Sequence, residues 1–125
     1  MNGMWTPAVS PVVMDTESDQ FGDLTEGVFQ IEDLLAYQDG AIVSRTLVNR
    51  ERTTLTVFAI DEGQSISEHS APHDALLQVL DGTARVTIGD DEYELEAGEA
   101  VVFPAGEPHA VAAPSRFKML LTMVR

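Results

Sequence analysis

Three histidines and no cysteine define the donor chemistry open to this chain of 125 residues. Without thiolates, any metal must rest on nitrogen and oxygen ligands. The histidines are His69, His73 and His109. Two imidazoles alone hold first-row divalent ions weakly, and a stable site takes three or more protein ligands. His73 is the third candidate beside His69 and His109, and Asp74 offers a carboxylate from the same stretch. Such a nitrogen and oxygen set suits one divalent transition metal: Fe, Mn, Ni or Zn. Extended backbone from 69 to 73 would put residues 69, 71 and 73 on one face, but Pro72 interrupts that strand. The alternative stands beside it: His69 and His109 as metal-free pocket histidines bonded to the backbone, or to each other through water, and His73 as a solvent-facing loop residue.

Other catalytic constellations are thin. The chain has no Gly-rich phosphate loop, no nucleophile elbow around a serine and no cysteine nucleophile, and no organic cofactor is expected. Ser65, Ser67 and Ser70 sit near His69 in sequence. A triad, however, needs a base aimed at a hydroxyl and an acid behind that base, which adjacency does not supply. No catalytic residue is assigned, and whether the chain is an enzyme stays open.

The elements that must position these residues are short and β-rich. Residues 42–48, 54–60, 75–80, 84–88, 92–96, 100–103, 109–113 and 117–124 read as strands separated by turn residues. Eight strands at this spacing predict a sandwich or barrel. Gly89-Asp90, between Ala84, Val86, Ile88 and Tyr93, Leu95, reads as a hairpin with Arg85, Thr87 and the intervening glutamates turned to water. Residues 31–37 read as one helical turn with Ile31, Leu34 and Leu35 on a common face. Residues 1–30, with Pro7, Pro11, Gly22, Gly27 and scattered acids, read as a loose N-terminal arm, leaving 31–125 as the domain. One domain is what this length allows.

Charge narrows the partners. Twenty-one Asp and Glu against seven Lys and Arg give a formal net charge of −14. Lys118 is the single lysine. This surface repels a phosphate backbone and an anionic membrane, so neither nucleic acid nor membrane is an expected partner. The composition also suits a protein that stays soluble in concentrated salt, a halophilic origin that an ordinary acidic protein would imitate. No run approaches the roughly 20 apolar residues of a membrane span, and Met1 to Val13 lacks the pattern of a secretory signal, so the expected address is cytoplasmic.

Two stretches carry a family resemblance. Gly98, five residues, Pro104, one residue, Gly106, two residues and His109 match the second sequence motif of the cupin superfamily in full; Gly63, five residues, His69 and then Gly82 keep the frame of the first. The wider run from Asp39 to Arg125, about seventy per cent of the chain, is similar to small single-domain bacterial and archaeal cupins. The resemblance implies an all-β, RmlC-like jelly-roll barrel (a double-stranded β-helix), a homodimer and often a divalent metal. In the family frame the second histidine would fall on Ala71 and the glutamate on Ala75, so two of the usual metal ligands are absent. With Ala75 inward, Leu77 and Val79 follow it inward, while Leu76, Gln78 and Leu80 face outward, which removes Gln78 as a ligand. By the same phase Glu68 and Glu107 point away from the motif histidines.

Two apolar faces on the strands 75–80 and 117–124 require a cover outside the barrel, supplied by a second copy or by the N-terminal arm. Two functions survive. The first is a non-catalytic module whose histidine-lined pocket receives a small molecule; the second is a metal-dependent dioxygenase, isomerase or decarboxylase acting on a small organic substrate.

Overall fold

The computed structural model describes residues 21–125 and, before them, the backbone of Val12–Glu17. Among the described residues nine strands form: β1 (Val12–Glu17), β2 (Ile42–Asn49), β3 (Thr53–Ile60), β4 (Ser65–His69), β5 (Asp74–Ile88), β6 (Asp91–Glu96), β7 (Ala100–Phe103), β8 (His109–Ala112) and β9 (Phe117–Val124). Of the arm expected over residues 1–30, residues 1–11 and 18–20 lie outside the described residues; in the rest, β1 pairs parallel to β2 and a 3₁₀ turn forms at Gly22–Glu26. Every other pairing is antiparallel.

The strands make two layers that share β5. One layer runs β1-β2-β3-β9-β5-β7, the other β4-β8-β5-β6. The Asp74–Gly82 part of β5 pairs with β7 and β9, and Thr83–Ile88 pairs with β6 and β8. A strand that serves both layers closes the jelly roll without leaving the core open between them. The sequence predicts a break at Asp81-Gly82; the chain instead bends there and continues as one strand. Gly82 makes the bend at φ +78°, and a Cβ at this position would lie 1.9 Å from the carbonyl oxygen of Arg116. Only glycine accepts both the left-handed dihedral and that approach.

Period-two alternation fills the interior. Ala75, Leu77 and Val79 of β5 and Phe117, Met119 and Leu121 of β9 meet Ile42, Phe58, Ile60 and Phe103 in one core. As phase requires, Leu76, Gln78 and Leu80 turn outward. On the outer face, Leu47, Val57 and Leu120 are covered by Leu24, Ile31, Leu34 and Leu35, the last three being the shared apolar face expected over 31–37, where a 3₁₀ turn forms at Ile31–Leu34. Tyr37 fastens this strap: its hydroxyl donates to Asp81 (2.5 Å), its ring packs beside Arg116 and Lys118, and Lys118 Nζ donates to the Glu32 carbonyl (2.6 Å). Beyond the strap Leu76, Val102 and Val124 stay 37%, 51% and 56% exposed. Among the described residues no helix is long and apolar enough to cross a membrane.

Candidate functional site

His109 opens β8 because the preceding turn is tied down on three sides. Pro104 accepts from the Glu107 amide (3.2 Å), the Ala105 amide donates to Asp74 Oδ1 (2.8 Å), and the Gly106 amide donates to the Ala71 carbonyl (2.8 Å). Gly106 takes φ +82°, the left-handed conformation that such a turn reserves for glycine. The glycine, proline and histidine spacing of the motif is thus the spacing of a turn that delivers one imidazole.

His69 arrives from the neighbouring strand. β4 runs antiparallel to β8 with His69 opposite His109, and the register shifts between Ile66 and His69. Strict alternation would put Ile66 and His69 on opposite faces; one extra residue on β4 lets Ile66 enter the core while His69 still meets His109. The two rings lie 4.6 Å apart at 67°, and Phe103 stacks flat on His109 at 4.1 Å and 6°. His109 is only 2% exposed, whereas His69 is half-buried.

The tautomers follow from the backbone. His69 Nδ1 lies 2.9 Å from the Ser67 carbonyl and His109 Nδ1 lies 3.1 Å from the Glu107 carbonyl. A carbonyl oxygen only accepts, so each Nδ1 carries a proton, and in the neutral form of either ring the lone pair is on Nε2. Both Nε2 atoms are buried. Burial pushes the His109 pKa down to about 4; the Glu107 carbonyl opposes that shift and the neighbouring His69 adds to it. His109 is therefore neutral at pH 7. The partner of His69 Nδ1 is a main-chain carbonyl, not the carboxylate that a serine triad would place there.

The remaining candidates scatter. His73 sits half-buried in the bend between β4 and β5. Asp74 spends its carboxylate on the Ala105 amide. Gln78, Glu68 and Glu107 are exposed, as their phase predicts. Ala71 and Ala75 are buried at 5% and 3%, at the positions where the resemblance would place a histidine and a glutamate. Among the described residues no group of three or more His, Asp or Glu side chains is arranged to hold a metal ion. The donor set is a pair of imidazoles and does not fit the family's metal, so no chemical step is derived through one. The stack of Phe103 on His109 has no counterpart in the sequence pattern, because it depends on how β7 and β8 meet across the barrel.

Comparison with known proteins agrees with this architecture. Residues 56–125 match the family described as Cupin domain. Among solved structures the chain is similar to a conserved protein of unknown function from Streptococcus pyogenes, at 39% identity over 79% of this chain and 87% of that one, with a TM-score of 0.77. A cupin superfamily protein from Desulfitobacterium hafniense is 28% identical over 79% and 91%, with a TM-score of 0.77. A cupin 2 conserved barrel domain protein from Leptotrichia buccalis is 39% identical, with a TM-score of 0.75, over 78% of this chain but 47% of that one. No curated protein matches the chain. With more than half its length inside the family's own pattern and the motif turn delivering His109 opposite His69, this chain belongs to the cupin family.

Proposed function

We propose that this cupin binds a small organic molecule inside the barrel through Nε2 of His69 and His109, with no tightly held metal. The observation that carries the reading is the pair itself: two adjacent imidazoles, each locked by a backbone carbonyl with its lone pair on a buried Nε2, beside alanines where further ligands would be needed. Neutral imidazoles in an apolar surround make good hydrogen-bond acceptors for a ligand. The same carbonyl lock also orients histidines toward metals, which keeps a metal-dependent dioxygenase, isomerase or decarboxylase as the second reading; it requires a third donor, such as His73, to be brought to the pair. Plasma mass spectrometry on untagged protein separates the two. We expect well under one equivalent of Fe, Mn, Ni or Zn after dialysis. Near one equivalent, lost in both His69→Ala and His109→Ala, would overturn the proposal, and loss in His73→Ala as well would identify the third donor.

The exposed Leu76, Val102 and Val124 support a homodimer built on this outer face. Leu76 pairs directly with Val102 across β5 and β7, so the patch is contiguous. Light scattering is expected to give twice the chain mass of 13.6 kDa, and Leu76→Asp to give the monomer; a monomeric wild type would remove this assignment.

A further inference from the structure

A row of hydroxyls faces the barrel interior from the side opposite the histidines. Backbone pairing sets their phase. Thr54 stands across from Met123, Thr56 from Leu121 and Phe58 from Met119, and all three partners on β9 are buried. On β2, Thr46 is opposite Thr56 and Ser44 is opposite Phe58. Directly opposed residues share a face, so Ser44, Thr46, Thr54 and Thr56 lie on the face that carries the core. Thr54 extends the row that holds the site: Met123 pairs with Ala75, Ala75 with Phe103, and Phe103 stacks on His109.

Thr54 Oγ1 is buried and makes no hydrogen bond among the described residues. A buried hydroxyl without a partner is costly, and such groups in folded proteins point to something that completes them. The interior also holds no ion. The buried polar residues are Ser44, Thr46 and His109; no Asp, Glu, Lys or Arg side chain is buried among the described residues. A carboxylate, phosphate or ammonium group would therefore enter with nothing to balance its charge.

We propose that the ligand is an uncharged molecule with hydroxyl or N–H donors, held at one end by Nε2 of His69 and His109 and at the other by Thr54 Oγ1. Its apolar body lies along Ala75 and Met123, which stand between Thr54 and Phe103 in the strand pairing. This rests on the histidine pair being the ligand-contacting group, and it adds the chemical class and a specificity residue on β3.

Ligand-observed saturation-transfer NMR and titration with four probes of similar size test it: 4-hydroxybenzyl alcohol, 4-methylanisole, benzoate and benzylammonium. The alcohol is expected to bind at least about tenfold more tightly than the other three, because only it is neutral and donates hydrogen bonds. Thr54→Val, nearly isosteric, is expected to weaken the alcohol by about fivefold, the loss of one neutral hydrogen bond, with Thr54→Ser retaining wild-type affinity. Benzoate or benzylammonium binding as tightly as the alcohol, in a manner lost in His69→Ala and His109→Ala, would overturn the ligand class and leave the histidine site standing. Alcohol binding lost in the histidine variants but unchanged in Thr54→Val would remove Thr54 from the site. If no probe responds to either histidine substitution, the histidine reading itself fails, and this proposal with it.

Discussion

Gly82→Ala is expected to lower stability by about 3 kcal/mol or more, enough to drop the melting temperature by roughly 10 °C or abolish folding. Two costs combine. The residue sits at φ +78°, where a Cβ is strained, and that Cβ would lie 1.9 Å from the Arg116 carbonyl oxygen and 2.9 Å from the Phe117 Cα. Both contacts are backbone, so no side-chain rotation relieves them. Either the Gly82–Phe117 pairing opens or β5 no longer bends from one layer into the other. Gly98→Ala isolates the dihedral part: Gly98 has φ +93° but nothing within 4 Å of its Cβ position. Its substitution is expected to cost about 1 kcal/mol. Chemical denaturation of the two variants beside wild type measures the difference, and equal losses would show that the close approach at Gly82 is not what the fold depends on.

The second large effect is acid sensitivity with His109 as its source. In the folded protein this imidazole titrates at about 4, chiefly because it is buried, whereas in an unfolded chain it titrates near 6.5. Between those values the unfolded state binds more protons, so stability falls as pH drops from about 6.5 through 4. The full loss approaches about 3 kcal/mol below pH 4, reckoned at 1.36 kcal/mol per pKa unit as an upper figure. Protonating carboxylates moves stability too, so the comparison is with His109→Gln, which keeps a polar side chain and cannot titrate. Unfolding free energies at pH 7 and pH 4.5 are expected to show wild type losing about 2.5 kcal/mol more than the variant over that interval. Parallel pH profiles would mean that His109 is solvated in the native state.

Most of the barrel is legible in the sequence because a strand with one buried face declares itself by alternation. The strands ending in Ile60, Phe103 and Val124 appear where alternation puts them, and the inward phase of Leu77 and Val79 correctly excludes Gln78. The departures have physical causes. β4 escapes notice because Ser65, Ser67 and Glu68 surround a single apolar Ile66, and its bulge breaks the period just before His69. β5 looks like two strands because a glycine with positive φ usually ends one; here it turns the strand between layers while pairing with β9 continues.

The site divides in the same way. His109 is readable because a turn of fixed glycine and proline spacing must precede it, and His69 because the first motif keeps its frame. What escapes is whatever depends on the partner strand. Nothing in the local sequence says that Phe103 would lie flat against His109, or that Thr54 and Thr56, ordinary strand formers, face inward rather than to water. Their phase follows only once β3 is registered against β9. Asp74, attractive as a ligand by sequence, is drawn away by the Ala105 amide, a contact between segments far apart in the chain.

The central claim is that His69 and His109 present neutral, lone-pair-bearing Nε2 atoms to the barrel interior, and imidazole ¹⁵N chemical shifts measure this directly. Long-range ¹H–¹⁵N correlation spectra of histidine-labelled protein at pH 7 are expected to show both rings protonated at Nδ1 and unprotonated at Nε2, with the Nε2 resonances moving when 4-hydroxybenzyl alcohol is added. A proton on Nε2 of either ring, or a doubly protonated His109 at that pH, would contradict the account.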